Sequence, residues 1–286
     1  MTNTGGWRPE ALAAEMAAWD LDPAGLVVQI AHRMAIVERW GIAPGARVLE
    51  IGCGQGEGAA ALAAAVGPDG RVESFDPAPP EYGAPVTLGA SIGRLLEGRL
   101  GERMEFHLET DPLAIEPFPA DVFDEAALIH SAWYFPDSTT LERTLERVRP
   151  WARRLRIAEW DLAPDSMDQL PHLLAALVQG VVEPARPSSA ANIRTPLSRG
   201  RMIEIVERAG WRVAEVADLD TVALQDGDWE IALALEDTLA ALRGEELTLP
   251  PHLKSVAASL GDALTAAVGF GGRRPLPAFA LTADRN

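Results

Sequence analysis

The sequence predicts an α/β fold: a doubly wound, mostly parallel sheet with helices on both faces. Short apolar runs alternate with amphipathic or alanine-rich segments along most of the 286 residues, which is typical of strands joined by crossover helices. The first apolar run, Arg47–Ile51, passes through a glycine-rich turn into a helix. In such sheets a ligand binds beyond the carboxyl ends of the strands.

Two helices are predicted at the start of the chain, over residues 8–19 and 26–40. In the second, Ile30, Met34 and Val37 recur at helical spacing, and a Pro-Gly break follows it. The core then continues with strand 47–51, helix 58–66, strand 71–75, helix 88–100, strands 104–108 and 123–130, helix 139–148, strand 153–159, helix 199–209, and strands 211–217 and 277–282.

Two mainly helical insertions interrupt this alternation. Residues 162–198 include a predicted helix over 167–182, and residues 218–275 include predicted helices over 228–243 and 252–268. Long insertions serve as lids, binding loops, plain packing or a homodimer interface. The predicted organisation is an N-terminal helical cap (1–40), a core (41–217) that contains the first insertion, a second insertion or lid (218–275) and a final core strand (276–286).

Composition and charge exclude several classes of protein. Apolar residues make up 48% and charged residues 23% of the chain, which excludes a mainly disordered protein. The net charge of −17 repels nucleic acid and anionic membranes, and it suits a cationic or neutral small molecule. The single cysteine, Cys53, excludes an internal disulfide and an iron–sulfur cluster, and it fits a reducing, cytoplasmic location.

No targeting or membrane-spanning segment is predicted. Residues 1–20 lack a basic start, and the most apolar later stretches, 59–66 and 173–182, are too short to cross a bilayer.

The fifth predicted strand begins with three arginines that we expect to form surface ion pairs: Arg153, Arg154 and Arg156.

The glycine-rich turn gives the strongest functional signal. Gly52, Gly54 and Gly56 lie between a predicted strand and a predicted helix. Glycine is needed there because the turn is tight and the backbone approaches a ligand closely. Free N–H groups at the start of the next helix can meet a polar ligand. The spacing Gly54-x-Gly56-x-x-Ala59 also satisfies the dinucleotide-binding fingerprint, so a nicotinamide cofactor is one alternative.

Two acidic residues bear on the choice of ligand. Glu50 precedes the first glycine by two residues, where a carboxylate would repel a pyrophosphate and suit a positive centre. Asp76 ends the next strand, where it can accept hydrogen bonds from ribose hydroxyls of either cofactor class. Glu50 therefore disfavours a nicotinamide-dependent oxidoreductase.

The run Glu50-Ile-Gly52-Cys-Gly54-Gln-Gly56 resembles the E/D-x-G-x-G-x-G motif of class I S-adenosylmethionine-dependent methyltransferases. The resemblance covers about residues 30–217 and the final strand. It implies a seven-stranded, Rossmann-like sheet whose last strand is antiparallel, and S-adenosylmethionine as the cofactor.

The resemblance also implies a set of cofactor contacts. The glycines would lie against the methionine part, Asp76 at the ribose, Thr110 and Asp111 at the adenine, and Glu50 near the amino group. Asp111 precedes a proline and starts a turn equally well, and Cys53 suits packing better than nucleophilic attack. The full predicted set is Glu50, Gly52, Cys53, Gly54, Gly56, Asp76, Pro77, Thr110, Asp111 and His130.

Methyl transfer requires an aligned acceptor, and an oxygen acceptor also requires removal of a proton. His130, at the end of the fourth strand, is the first candidate base, because imidazole titrates near neutral pH. It could instead pack beneath the cofactor. His32, in the second helix, is the second candidate, with a packing role as its alternative.

Four residues are predicted to contact the acceptor or to close the site. Trp133 and Tyr134 follow His130 and would wall an apolar pocket. Glu159 ends the fifth strand and would orient an amine or hydroxyl, or would instead form, with Asp161, a solvated or salt-bridged pair. Tyr82 would close over the adenine or ribose, or pack its own loop. No metal-ligand spacing is present, so a metal-free reaction is expected.

The predicted function is transfer of a methyl group to oxygen, nitrogen or an activated carbon of a small organic acceptor. Helical caps suit bulky apolar acceptors, which points by analogy to specialised metabolism. The alternative is a methyltransferase-like fold that uses the cofactor for a rearrangement or cyclisation, or that acts as a non-catalytic subunit.

Overall fold

A seven-stranded sheet forms the centre of the computed structural model, which describes residues 5–16, 23–186, 193–244 and 247–285. The strand order is β3-β2-β1-β4-β5-β7-β6, and β7 runs antiparallel to both of its neighbours. This confirms the predicted fold class and the antiparallel last strand. The strands are β1 (Arg47–Ile51), β2 (Arg71–Phe75), β3 (Met104–His107), β4 (Phe123–Ile129), β5 (Ala152–Trp160), β6 (Trp211–Leu219) and β7 (Ala278–Arg285).

The helices follow the predicted order with small shifts at their ends. The helix predicted over 228–243 is two helices joined by a π-helical turn, Ala234–Thr238, and residues 17–19 of the first predicted helix lie outside the described residues. The helices are α1 (Pro9–Ala13), α2 (Pro23–Trp40), α3 (Glu57–Val66), α4 (Leu88–Glu97), α5 (Ser138–Val148), α6 (Leu170–Val182), α7 (Arg199–Arg208), α8 (Asp226–Leu233), α9 (Leu239–Arg243) and α10 (Pro251–Gly269).

Two hydrophobic clusters cover the two faces of the sheet. On one face α1, α2 and α3 pack together, and the alanine-rich α3 is buried along its whole apolar length, from Ala59 to Val66. On the other face α5 and α7 pack against β4, β5 and β7 through residues such as Leu145 and Met202. The N-terminal helix α2 is therefore part of the main core. Its packing there fixes the positions of its polar side chains.

The two predicted insertions pack against each other. Helices α6, α8, α9 and α10 share a third hydrophobic cluster that includes Val178, Ile231 and Leu264. We call these four helices the cap. No helix in the described ranges has both the length and the apolar character that a membrane crossing requires.

A buried ion pair joins β4 to β5. The guanidinium of Arg156 donates from Nε to Oε2 of Glu125 at 2.9 Å and also bonds the Thr282 hydroxyl at 2.6 Å. Arg156 is only 4% exposed, so the expectation of a surface pair was wrong for this residue. The reason is that β5 lies inside the sheet, where β7 pairs with it and places Thr282 opposite Arg156. Arg154, which is half exposed, matches the expectation.

We expect Arg156→Met to lower the free energy of unfolding by about 3 kcal/mol, because it leaves the buried Glu125 carboxylate with only the more distant, half-exposed Arg154 as a cation, at 3.6 Å. Urea unfolding followed by circular dichroism measures this. The control is Arg154→Met, whose loss of an exposed charge should cost less than about 1 kcal/mol. Arg156→Met combined with Glu125→Leu should recover most of the loss, and a double variant no better than the single one would contradict the ion-pair explanation.

Candidate active site

Two glycines of the turn after β1, Gly52 and Gly54, have different surroundings. Gly52 and Gly54 have positive φ angles of 77° and 53°. A Cβ atom on Gly52 would lie 2.6 Å from Cβ of Ser131, whereas one on Gly54 would meet nothing within 4 Å. Gly52 is therefore needed for packing against the turn after β4. Gly54 instead borders open space, as expected where the backbone meets a ligand.

Asp76 connects this turn to the end of β2. Its Oδ2 accepts from the Gly54 N–H at 2.9 Å, and its Oδ1 accepts from the Ala78 N–H at 2.9 Å. Each carboxylate oxygen can accept a second bond, so capacity for ribose hydroxyls remains. Pro77 follows on the exposed surface. The Thr110 N–H donates to the Asp76 carbonyl at 3.0 Å, which brings the end of β3 to the same place.

Glu50 lies beneath the turn rather than on its surface. The side chain is 1% exposed, and Oε2 accepts from the Ser74 hydroxyl at 2.8 Å. Burial raises the pKa of Glu50 to about 8, against the opposing effect of the Ser74 hydrogen bond. The carboxyl is therefore largely protonated at neutral pH in the cofactor-free chain. A cation brought near it lowers this pKa and favours the carboxylate.

The residues predicted at the adenine side make local bonds. The Thr110 hydroxyl donates to the Leu108 carbonyl, and Oδ1 of Asp111 accepts from the Leu113 N–H at 2.8 Å. Asp111 thus starts a turn, one of its two expected roles. The Tyr82 side chain borders the same region, and burial raises the pKa of its phenol, with the charge of Asp76 adding to the effect. Contact of these residues with a cofactor stays a prediction.

Cys53 is buried in the turn. Burial raises the pKa of its thiol far above neutral, with Glu50 and Asp76 adding to the shift. A protonated, buried thiol is a poor nucleophile, in agreement with the packing role expected for it.

The two predicted bases face each other. Nε2 of His32, on α2, lies 2.9 Å from Nε2 of His130, which directly follows β4. His130 has a positive φ of 51°, a strained conformation for a residue with a side chain. Its backbone N–H donates to the Ala158 carbonyl at 2.8 Å, which holds it there. The sequence predicted both histidines as candidate bases but did not predict that they contact each other.

Glu159 extends this pair to a row of three titratable groups. Its Oε1 lies 3.5 Å from Nδ1 of His130. Burial lowers the pKa of His130 to about 3 and that of His32 to about 2, so both imidazoles are neutral at pH 7. Burial also raises the pKa of Glu159 to about 7, so its carboxyl exchanges a proton near neutral pH.

Glu159 also holds the turn after β4. It is 1% exposed, and its oxygens accept backbone N–H groups of Ala132, Trp133 and Trp160 at 2.9, 3.2 and 3.0 Å. The turn encloses the side chain, so of the two alternatives to an acceptor contact, a solvated or a salt-bridged charge, the solvated one was wrong. A direct contact of Glu159 with an acceptor remains a prediction.

The two predicted acceptor contacts after His130, Trp133 and Tyr134, lie in different surroundings. Trp133 is fully buried in a cluster with Trp160, and its indole N–H donates to the Leu197 carbonyl at 3.0 Å. Tyr134 is 43% exposed. Of the two side chains, Trp133 is thus enclosed in the core, and Tyr134 is the one with exposed surface; contact of Tyr134 with an acceptor stays a prediction.

The sequence did not single out three charged residues of this region: Arg33 and Asp226 act on the histidine pair, and Glu230 acts on Tyr134. Arg33 follows His32 on α2, and its charge acts on both Glu50 and Glu159. Helix α8 of the cap contributes Asp226, which accepts from Gln29 at 2.6 Å, and Glu230, which accepts from Gln179 at 2.8 Å. Burial raises the pKa of Glu230 to about 7.

Helical periodicity alone does not distinguish such residues from ordinary surface charges. The only local signal was the position of Arg33 next to His32. Within the described residues no three His, Cys, Asp or Glu side chains cluster in a way that could hold a metal ion.

Comparison with known proteins identifies the family. A crystal structure of a cyclopropane-fatty-acyl-phospholipid synthase-like protein from Lactobacillus casei is 33% identical, covers 97% of this chain and 98% of its own, and superposes with a TM-score of 0.80. Methyltransferase phomM' from Diaporthe leptostromiformis is 30% identical over 268 residues, 76% of this chain and 68% of that protein. The chain is a class I S-adenosylmethionine-dependent methyltransferase.

Two further matches cover parts of this methyltransferase. A profile of the protein-L-isoaspartate(D-aspartate) O-methyltransferase family matches residues 21–80, from before α2 to beyond Asp76. The 2-phytyl-1,4-naphtoquinone methyltransferase of Synechococcus elongatus is 37% identical over 123 residues, 42% of this chain and 48% of that protein. The methyltransferase thus spans about two thirds of phomM' and about half of the cyanobacterial enzyme.

The open space at Gly54 leads to a prediction for cofactor binding. In Gly54→Ala the added methyl group meets no protein atom within 4 Å, although the positive φ of 53° strains an alanine there. That group would also occupy space where the cofactor is expected. A contact costing about 1.4 kcal/mol weakens binding tenfold, and we expect at least roughly that loss for S-adenosylhomocysteine in calorimetry.

The matched control for this variant is Gly41→Ala. Gly41 also has a positive φ, 62°, and an added Cβ there also meets nothing within 4 Å, but it lies at the end of α2. Equal affinities of the two variants for S-adenosylhomocysteine would contradict the placement of the cofactor at Gly54.

Proposed function

We propose that this methyltransferase methylates oxygen, nitrogen or an activated carbon of a small organic acceptor without using a metal ion, in specialised metabolism. The observation that carries the proposal is the neutral His32–His130 pair, which lies directly beside the turn after β1. Ser131, the neighbour of His130, packs on Gly52 and donates its hydroxyl to the Ile51 carbonyl at 2.7 Å. A cofactor bound at the turn would therefore lie next to the pair.

The residues that would hold S-adenosylmethionine are Gly54 and Asp76, with Glu50 beneath them. When bound, it supplies a methyl group on a positive sulfur; the acceptor's electron pair forms the new bond to that carbon while the sulfur–carbon pair returns to sulfur. The acceptor also loses a proton when it attacks through an O–H or N–H group. Tyr134 would provide surface for the acceptor, and His130 would receive the proton.

The number of protons available to His32, His130 and Glu159 explains how this row of groups can accept the acceptor's proton. The contacts Asp220 carbonyl–His32, His32–His130 and His130–Glu159 each require one proton for a hydrogen bond. Two neutral imidazoles supply only two protons. When Glu159 is ionised, Nδ1 of His130 faces it without a proton, in agreement with the 3.5 Å separation and the unpaired state of this nitrogen among the described residues. The row then has room for the acceptor's proton.

Two relatives suggest where to search for the acceptor. The cyanobacterial relative is named for a phytyl-substituted naphthoquinone, and the Lactobacillus casei protein is named for its likeness to a fatty-acyl-phospholipid synthase. Both names refer to large apolar molecules, for which the partly exposed aromatic ring of Tyr134 offers an apolar surface. Apolar quinols, phenols, amines and enols are therefore the first compounds to test.

The test is incubation with S-adenosylmethionine and each of these acceptor classes, followed by mass spectrometry. We expect a product heavier by one methyl group and an equal amount of S-adenosylhomocysteine. Conversion of an acceptor to an isomer, with the cofactor's methyl group retained, would instead support the rearrangement or cyclisation alternative. Tighter binding of NAD than of S-adenosylhomocysteine would contradict the proposed cofactor site.

With a converted acceptor in hand, His130→Asn should lower kcat by roughly a hundredfold or more, the usual contribution of a positioned base. Asparagine suits the test because it tolerates a positive φ. The affinity for S-adenosylhomocysteine should change little. The control is the same substitution at His252, an exposed residue of α10. A parallel loss of cofactor affinity would show that His130 only packs beneath the cofactor.

The raised pKa of Glu50 predicts that cofactor binding releases a proton. The ammonium and sulfonium groups of the cofactor favour the ionised carboxylate, so binding lowers the pKa of Glu50 from about 8. Affinity should therefore increase as the pH rises from 6 towards 8 and then level off. Calorimetry in buffers of different ionisation enthalpy measures the released proton. Glu50→Gln should remove the pH dependence, and an unchanged slope in that variant would assign the proton to another group.

A further inference from the structure

Helix α8 of the cap carries two carboxyl groups that face the proposed acceptor side. Asp226 and Glu230 lie one turn apart on this helix, so both side chains project from the same face. Oδ2 of Asp226 accepts from Nε2 of Gln29 at 2.6 Å. Gln29 lies one turn before His32 on α2, and Nε2 of His32 lies 2.9 Å from that of His130. This face of α8 therefore borders the histidine pair.

An amide from α6 holds Glu230 and leaves its own oxygen without a partner. Gln179 is fully buried, and its Nε2 donates to Oε2 of Glu230 at 2.8 Å and to the Glu230 carbonyl at 3.5 Å. Because a backbone carbonyl cannot donate, the atom that faces it is the amide nitrogen. The carbonyl oxygen of the same amide, Oε1, is buried beside the carboxyl group, and no donor meets it within the described residues. A buried acceptor without a donor is costly, so a ligand that donates to Oε1 would remove that cost.

No cation of the described residues neutralises this face of α8. Neither Asp226 nor Glu230 takes part in an ion pair in that part of the chain, whereas the exposed Asp228 of the same helix faces Arg273 at 3.5 Å. Burial raises the pKa of Glu230 to about 7, and the charge of Asp226 adds to the shift. Burial also raises the pKa of the Tyr134 phenol, with the charges of Glu230 and Asp226 adding to the effect. The uncompensated carboxyl groups therefore act on the side chain proposed to border the acceptor.

We propose that Glu230 and Gln179 bind a protonated amine of the acceptor, remote from the atom that is methylated. This rests on the proposed function, which places the acceptor between Tyr134 and His130. An ammonium group has three donors and no acceptor, and it matches a surface that offers only acceptors: Oε1 of Gln179 and the remaining lone pairs of the two α8 carboxyl groups. A cation at this place also favours the ionised form of Glu230.

The amine bound at Glu230 is a recognition group rather than the methylated group. A protonated amine has no electron pair to attack the methyl carbon, so it keeps its bonds throughout the reaction. The reacting oxygen, nitrogen or carbon would instead lie at His130, which would receive the proton. The acceptor class is therefore an apolar molecule with a cationic amine at one end and the reacting atom at the other. This class also agrees with the net charge of −17, which attracts cations.

Calorimetry with three probes of one shape tests the proposal on the protein saturated with S-adenosylhomocysteine. Phenethylamine, phenethyl alcohol and hydrocinnamate share an aromatic ring and a short chain, and they end in an ammonium, a hydroxyl and a carboxylate group. We expect phenethylamine to bind the wild type at least roughly tenfold more tightly than the alcohol, the value of a charge-assisted hydrogen bond. Hydrocinnamate should bind most weakly, because the α8 carboxyl groups repel it. Equal affinities for the amine and the alcohol would overturn the proposal.

Glu230→Gln removes the charge and keeps the shape of the side chain. The new amide oxygen can still accept from Gln179, so the melting temperature without a probe should change little. Phenethylamine affinity should fall by roughly tenfold to a hundredfold, while affinity for the alcohol stays nearly the same. The matched control is Glu236→Gln, the same loss of one negative charge at an exposed position of the π-helical turn after α8. Equal phenethylamine affinities of the two variants would overturn the proposal.

A second measurement separates amine binding from a structural role. Phenethylamine should raise the melting temperature of the wild type saturated with S-adenosylhomocysteine, and it should raise that of Glu230→Gln less. A lower melting temperature of Glu230→Gln without a probe, with unchanged phenethylamine affinity, would assign Glu230 to the fold and overturn the proposal. A wild type that fails to bind S-adenosylhomocysteine would instead contradict the proposed cofactor site, which distinguishes that failure from a failure of the amine site.

Discussion

Two buried glutamates at strand ends hold the turns on which the site depends. Glu50 is the penultimate residue of β1, beneath the glycine-rich turn, and accepts from the Ser74 hydroxyl of β2. Glu159 is the penultimate residue of β5 and accepts two N–H groups of the turn after β4 and one from Trp160. Neighbouring parallel strands end at one edge of the sheet, so the turns after β1 and β4 lie side by side there, and the Ser131 hydroxyl joins them by donating to the Ile51 carbonyl. Replacing either with an apolar residue would leave backbone donors or a hydroxyl without an acceptor.

The same burial sets the charge of the cofactor-free site. Neutral imidazoles at His32 and His130, and carboxyl groups at Glu50 and Glu159 with pKa values of about 8 and 7, carry little net charge at neutral pH. A positive ligand changes this state, because it favours ionised carboxylates. The site is therefore a set of weak acids whose ionisation is coupled to the arrival of a cation, rather than a fixed negative charge. The prediction from the sequence had instead taken the Glu50 carboxyl group to be ionised before a ligand binds.

The sequence predicted the sheet and the turn after β1 well, because both depend on local patterns. Apolar runs, glycine spacing and the position of Asp76 specify the strands and the place where the backbone meets a ligand. Contacts between distant helices and strands were not predictable in the same way. The 2.9 Å contact of His32 with His130 joins residues 98 positions apart, and the burial of Arg156 depends on β7 at the end of the chain. Such effects arise from packing, which periodicity does not describe.

The division between sheet and cap suggests how cofactor use and acceptor choice are separated. The residues proposed to hold the cofactor lie on the turns after β1 and β2, whose conformation is fixed by parallel pairing and by buried carboxyl groups. The cap instead contributes Asp226 and Glu230 from α8, a helix that continues into a π-helical turn. Its apolar cluster is separate from the two clusters that cover the sheet. We therefore expect substitutions within the cap to change the proposed acceptor side while the turn after β1 keeps its geometry, because the two regions are stabilised by different contacts.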